Sequence, residues 1–439
     1  MLYISQIPLL NDNKPFFTTN ETDETDEIKL TMANMMDNYI ESDPLKFGNH
    51  NFEYNLQSYV IDNMTLLLNN LYDNDTNPHI LKIELNNLYD IVNKIYFKQF
   101  YPKRSYHNTF IRIKPHITKT YNKIFHIENK PQPVQRTTEW YQFRYNLITA
   151  SNAWKALKSD ACINQLVVEK CKPLDTKKYD VVNTNTPMHH GTKYEEVSIM
   201  YYEKKYNTKV KDYGCIKHDT YDFLGASPDG INVDSSSDRY GRMLEIKNPT
   251  TRELTGIPKE DYWIQMQLQM EVCNLNECDF LETVFKEYES REDFIQDGTF
   301  TYSNNDELKG VIMYFMKDGK PYYEYMPLYL SENEFETWEH DIMNKNSNLQ
   351  WVTNLYWRLE DYSCILVLRN KLWFQHAIHK IENVWDIIKK ERVSGYEHRL
   401  PKKKNKTLKS NTMIDESKNK CLINVDNIQN QIIYVNTES

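Results

Sequence analysis

The stretch that most restricts what this chain can fold into is "FLGASPDGINVDSSSDRYGRMLEIKNPT", Phe223 to Thr250. Two strand-like runs flank a polar turn, and they carry Asp229, Glu245 and Lys247. Alternate side chains of a strand share a face. Glu245 and Lys247 therefore point one way, and Ile246 points the other, into apolar packing. Asp229 follows Pro228 at a strand start or bend, and "DSSSDRYG" suits a turn that brings the two strands together. Charged side chains are rarely buried unless they are paired or hold a metal. A fold built on this hairpin must either leave its charges in solvent as a cross-strand salt bridge or close around them as a site. The residues alone leave both readings open.

The surroundings set the fold class. Residues 1–28 are polar and acidic and read as a disordered lead-in. Residues 29–127 read as an all-helical N-terminal domain, because "YNLQSYVIDNMTLLLNNLY" and "HILKIELNNLYDIVNKIYFKQF" space apolar residues at three and four. Residues 128–135, "ENKPQPVQ", are Pro-rich and read as a linker. Residues 136–393 mix both periods. "WYQFRYNLI", "SNAWKALK" and "KYEEVSIMYYEKKY" read as helices. Strands are expected at 222–226, 228–234 and 241–247 and in "FLETVFKEY", "KGVIMYFM" and "PYYEYMPLYL". After Ser331-x-x-Glu334, a capping box, the pattern reads as helices again to residue 393. Residues 394–439 read as a basic, then polar tail. From Lys389 to Lys409 there are nine Lys/Arg against two Glu, which suits a DNA-backbone contact, a nuclear-import-like patch or a solvated tail alike. The expected class is α+β or α/β.

The 439 residues are 40% hydrophobic and 13% aromatic, enough for sizeable cores. No run of eighteen apolar residues predicts a membrane span, and the N-terminus lacks the features of a signal peptide. Seven scattered cysteines fit reduced thiols in an intracellular, cytosolic or nuclear setting. A net charge of −9 argues against a basic DNA-coating protein. It does not exclude nucleic acid, since a groove needs only local positive charge and a metal adds its own.

Two carboxylates converging with one ammonium are what metal-assisted phosphodiester hydrolysis uses: oxygen ligands for Mg²⁺ and a cation beside the developing charge. Winding "HHGTKYEEVSIMYYEKKY" at 100° per residue puts Glu195 on the stripe of Ile199, Tyr202 and Tyr206, and Glu196 beside Glu203 on a polar face. An inward Glu195 needs a partner: a metal shared with Asp229 and Glu245, or a Lys or Tyr. His189 and His190 read as loop residues, with a metal role as the lesser alternative. Upstream, Arg136, Arg144 and Ser151 suggest a phosphate cradle. Ser151 is placed as a helix N-cap, a helix N-terminus attracts phosphate, and Arg144 can grip one bidentately. Capping plus a surface ion pair is the competing reading.

Taken in order, "EWYQFRYNLITAS", "GTKYE", "GASPDG", "LEIKNP" and "YWIQMQLQM" resemble the viral recombinase family of YqaJ type, relatives of phage lambda exonuclease among the restriction-endonuclease-like (PD-(D/E)xK) nucleases. The resemblance spans roughly residues 136–285 and, more weakly, the segment after 331. It implies a central mixed sheet flanked by helices and Mg²⁺-dependent digestion of duplex DNA from a 5′ end, with Mn²⁺ as a substitute. It implies Asp229, Glu245 and the Ile246 carbonyl as metal ligands, with Glu195 as the helical glutamate that joins them. Lys247 is then the catalytic lysine, Arg144 and Ser151 hold the terminal 5′-phosphate, and Gln265 lies near the site. The implied partners are duplex DNA ends, a single-strand annealing protein and further copies of the chain.

"IQMQLQMEV" alternates like a strand, but Met, Gln, Leu and Glu favour helix, and the family places a helix here. On that helix Gln265 and Gln269 lie together in an apolar arc, and Gln267 and Glu271 face out. The helical N-terminal region has no counterpart in the much shorter phage enzyme, whose three subunits form a ring threaded by DNA. Together with the composition, these additions resemble a version from a large DNA virus. Cys162/Cys171 and Cys273/Cys278 lack the tight spacing of iron–sulfur ligand runs, and no cluster is expected. Two other functions stay open: an endonuclease on the same fold, and a non-catalytic DNA-binding recombination factor.

Overall fold

The structure, a computed structural model, describes residues 24–71, 78–107, 115–135, 137–175, 183–184 and 186–400. The lead-in before residue 24 and the tail beyond residue 400 lie outside the described residues.

Four helices come first: α1 (Glu24–Ser42), α2 (Phe52–Leu71), α3 (Pro78–Gln99) and α4 (Ile117–Glu128). Helix α1 thus begins inside the stretch read as lead-in. Phe52, Leu56, Val60, Ile61 and Met64 bury one stripe of α2. Leu85, Tyr89, Val92, Tyr96 and Phe97 bury one stripe of α3, the 3.6-residue period read from the sequence. Next come α5 (Thr138–Tyr145), β1 (Ile148–Thr149), α6 (Ala150–Ala153), α7 (Asp160–Cys171) and α8 (Pro187–Tyr206). Short strands β2 (Val210–Lys211), β3 (Ile216–Lys217), β4 (Leu224–Ala226), β5 (Gly230–Asn232) and β6 (Met243–Lys247) follow. The chain continues through α9 (Glu260–Val272), β7 (Glu277–Glu287), α10 (Arg291–Gln296), β8 (Lys309–Lys317), β9 (Lys320–Tyr325), α11 (Glu332–Lys345), β10 (Gln350–Leu368) and α12 (Lys371–Ser394).

The main sheet has seven strands in the order β2-β5-β6-β7-β10-β8-β9. Strands β6 and β7 are parallel, and the other neighbours are antiparallel. This is the mixed α/β architecture expected, with helices packed around a central mixed sheet. A smaller sheet, β1-β4-β3, lies apart. A parallel pair needs a crossover, and α9 supplies it between β6 and β7. Nine of the thirteen α9 residues are buried, so this helix is covered on every side. The N-terminal helices join that core: Phe47 and Phe52 belong to the same apolar cluster as Trp263, Trp373 and Ile388. Trp263 meets Trp373 edge-on at 5.3 Å, a favoured aromatic geometry.

The largest departure from the sequence reading lies in the last strand. Residues 350–368 were expected to be helical and form β10, the longest strand. Its composition, "QWVTNLYWRLEDYSCILVL", is β-branched and aromatic, which favours strand. Its period is blurred because one end is buried outright and the other is exposed. The strand is completed by neighbours far away in sequence, β7 on one side and β8 on the other. The capping box at Ser331 is present as read, with Glu334 closing it at the start of α11.

Candidate functional site

Strands β5 and β6 form the hairpin read from the sequence, with Gly230 opposite Leu244 and Ile231 opposite Met243. Two glycines make it possible. A Cβ at Gly230 would sit 2.1 Å from Val210 Cγ1, so β2 can approach only a glycine. Gly241 turns the chain at φ +75, where a Cβ would also strike Thr120.

The hairpin brings the charges together. Asp229 Oδ2 accepts a hydrogen bond from the Ile246 N–H at 2.7 Å. Glu245 is fully buried, and its carboxylate pairs with the Lys247 ammonium. Ile246 points opposite, into a cluster with Tyr202, Leu244, Leu281 and Cys364. Lys247 keeps 24% of its side chain exposed and lies 5.1 Å from the Tyr262 ring. The fold encloses these charges and does not leave them in solvent.

Electrostatics make this spot short of positive charge. Burial and then the Glu245 charge push the Asp229 carboxyl well above the usual carboxylate range, against the pull of Lys247. Burial works against the Lys247 ammonium, but Glu245 and Asp229 outweigh it and raise its pKa. Two carboxylates thus face one cation. Among the described residues, no three His, Cys, Asp or Glu side chains converge into a ready-made metal cage.

Glu195 lies on α8, exposed, although its charge reaches Asp229. The buried stripe of α8 is turned about one residue from the one a helical wheel predicts. The buried face is Tyr194, Val197, Ser198, Tyr201 and Tyr202, because Ser198 is held inside by Thr283 and Asn248 at 2.8 Å each. Glu195 therefore sits at the rim of that face. Glu196 is exposed as expected. His189 and His190 are in the first turns of α8 and not in a loop; His189 Nε2 is 2.7 Å from the Tyr323 hydroxyl.

Helix α9 forms as expected. Its Gln265 and Gln269 donate to the two Glu245 oxygens at 2.8 and 2.7 Å. Gln267 and Glu271 do not face solvent. Gln267 is fully buried and bonded to the Leu368 carbonyl and the Asn370 N–H, and Glu271 is paired with Arg369. The strand-like alternation arises because this helix has no solvent face: its glutamines serve partners on two sides. Gln269 was not singled out as a site residue, although its i, i+4 spacing from Gln265 was the signal.

Of the residues suggested as a phosphate cradle, Arg144 lines a cavity and Ser151 does not line it. Arg144, in the last turn of α5, donates to Ser227 Oγ at 3.3 Å and lies 4.5 Å from the Trp140 ring. The Ser227 carbonyl accepts from Gln269 at 3.2 Å, so Arg144 connects to the acidic pair through the residues just before Asp229. A cavity of about 620 Å³ opens beside it, lined by Trp140, Arg144, Thr149, Asn152 and Lys170 among others. Lys170, which no sequence signal marked, is buried and donates to the Arg144 carbonyl at 2.8 Å. Burial lowers its pKa to about 8. Ser151 is not the N-cap: α6 starts at Ala150 with Thr149 at the cap position. Ser151 is exposed, with its Oγ 3.3 Å from Thr149 Oγ1. Arg136 lies outside the described residues.

Residues 139–276 match the family model of the YqaJ-like viral recombinase domain. An uncharacterized protein of Acanthamoeba polyphaga mimivirus, R354, is 29% identical over 347 residues, which is 70% of this chain and 60% of that protein. The chain thus spans about three fifths of the length of the curated relative it matches. Two crystal structures of an alkaline exonuclease from Laribacter hongkongensis, one in complex with dAMP, are each 21% identical. They cover 58% of this chain and 94% of theirs, at a TM-score of 0.35. Among the described residues no helix is long and apolar enough to cross a membrane.

Proposed function

We propose that this chain, which carries a YqaJ-like viral recombinase domain at residues 139–276, is a divalent-metal-dependent deoxyribonuclease that digests duplex DNA from its ends, 5′ to 3′. The observation that supports this reading is the convergence of Asp229, Glu245 and Lys247 at one end of the β5–β6 hairpin. The donor set fits Mg²⁺. Hard carboxylate oxygens stand in a spot where buried negative charge exceeds positive charge. Asp229, Glu245 and the Ile246 carbonyl would hold the ion, with Glu195 at the rim. A bound ion supplies Lewis-acid polarisation of the scissile phosphate.

The chain's own residues do the rest. Gln265 and Gln269 fix the Glu245 carboxylate, so it does not rotate when substrate arrives. Lys247 stays protonated and offers Nζ–H groups to the attacking water or to a phosphate oxygen. Arg144 suits a bidentate grip on a terminal phosphate, and its link to Ser227 sets that grip relative to Asp229.

Linear plasmid is expected to disappear in Mg²⁺ while covalently closed circles survive, faster with a 5′-phosphate than with a 5′-hydroxyl, and EDTA is expected to stop it. Equal cutting of circles would replace the end-dependent reading with an endonuclease. DNA binding without cutting in either Mg²⁺ or Mn²⁺ would leave a recombination factor.

A further inference from the structure

A second cavity, of about 520 Å³, lies between the N-terminal helical segment and the loop that leads into α9. It is lined by His50, Tyr54, Lys103, Arg104, Ser105 and His107 among others. It shares no lining residue with the Asp229 site or the Arg144 cavity.

Arg104 gives this cavity its chemistry. The residue is 2% exposed. Nη2 donates to the Gly48 carbonyl at 3.3 Å, but among the described residues Nε and Nη1 have no hydrogen-bond partner. The guanidinium lies 5.8 Å from the Trp263 ring. The carboxylates whose fields reach it are Glu260 and Glu53, and Glu260 is committed to Lys158. Burial lowers its pKa to about 10, so it is charged at neutral pH. Arg242, also buried, shows the usual solution, with two carboxylates bonded to it at 3.0 Å. A buried donor left without a partner is costly, the more so when it is charged.

The backbone that carries Arg104 is held firmly. Its carbonyl accepts from Trp263 Nε1 at 2.9 Å, and the Lys103 N–H donates to the Tyr106 hydroxyl at 2.9 Å. Tyr106 bonds to the Leu366 backbone in both directions at 2.8 Å. Around this fixed cation stand one ammonium, two imidazoles, three hydroxyls and one amide, against one carboxylate among the described lining residues, Glu53. The volume is that of a small-molecule pocket, larger than a lone phosphate needs. Tyr54, 73% exposed, offers a ring on which a base can stack.

We propose that this cavity binds the phosphate group of a nucleotide, with Arg104 and Lys103 as the anion contacts. The nucleotide is either free or part of a DNA strand, and the two sources share this chemistry. The site is built from residues outside the nuclease reading, so either can fail alone.

The test is a titration of the full chain with inorganic phosphate, by calorimetry or thermal shift, in an Asp229→Ala/Arg144→Ala background that removes the other candidate phosphate site. Saturable binding is expected, weakened at least 10-fold by Arg104→Met and by the solvent-side pair Lys103→Ala/His107→Ala. The second variant keeps the test valid if loss of Arg104 impairs folding. Thymidine 5′-monophosphate and a 5′-hydroxyl blunt duplex then identify the source. Weakening confined to the mononucleotide assigns a free nucleotide, and weakening of both assigns the DNA backbone. Phosphate binding that the background abolishes, or that Lys103→Ala/His107→Ala leaves unchanged, overturns the proposal.

Discussion

Lys247→Ala is expected to lower DNA cleavage by about 10³-fold or more, the scale on which positioned proton donors and charge-stabilising groups act. The ammonium is the positive charge beside the two convergent carboxylates, and it is held protonated by them. Removing it leaves fully buried Glu245 bonded by Gln265 and Gln269 but without its cation. The substitution makes the site more negative, so Mn²⁺ binding followed by calorimetry is expected to persist. Asp229→Ala is expected to lose both cleavage and metal binding. That contrast separates a residue that acts on the phosphate from one that holds the ion. Full activity in Lys247→Ala would refute the assignment of the site.

Arg242→Met is expected to destabilise the fold by about 3–5 kcal/mol, the usual effect of removing one partner from a buried charge network. Arg242 is 5% exposed and donates to Glu277 and Asp279, themselves 4% and 1% exposed. Asp279 also accepts from the Tyr202 hydroxyl at 2.6 Å and pairs with Arg239. Without Arg242 two buried carboxylates lose their shared cation. The effect extends to the site, because Arg242 immediately precedes β6 and Asp279 lies opposite Leu244, next to Glu245. The midpoint of chemical unfolding measures this. Lys389→Ala serves as a control, since its pair with Asp386 is more than half exposed and surface pairs contribute little. A loss below 1 kcal/mol in Arg242→Met would mean that the network is not a structural support.

Local patterns carried much of this in advance. The apolar spacing of α2 and α3, the capping box before α11 and the hairpin around Asp229 and Glu245 are all set by neighbours within a few residues. Each is therefore legible one segment at a time. The same holds for the Glu245–Lys247 pair, since strand alternation alone places both on one side.

Which side of an element is covered is legible only in part: Ile246 and Glu196 stand as read, and other residues do not. Gln267 reads as solvent-facing and is buried, because β10 and the start of α12 lie against that face of α9. Glu195 reads as inward and is exposed at a rim, because Ser198 is drawn in by Thr283 and Asn248. Strand β10 is not legible locally because its partners lie tens of residues upstream. Arg104 left no trace in the sequence as an unpartnered cation. By itself, then, the sequence determined the periods, the turns and the pairing of charges along single strands, all products of backbone geometry and local sterics. Tertiary structure alone decided burial, and with it which polar groups are satisfied and which are left needing a ligand, because desolvation depends on what packs against a side chain and not on where it stands in the chain.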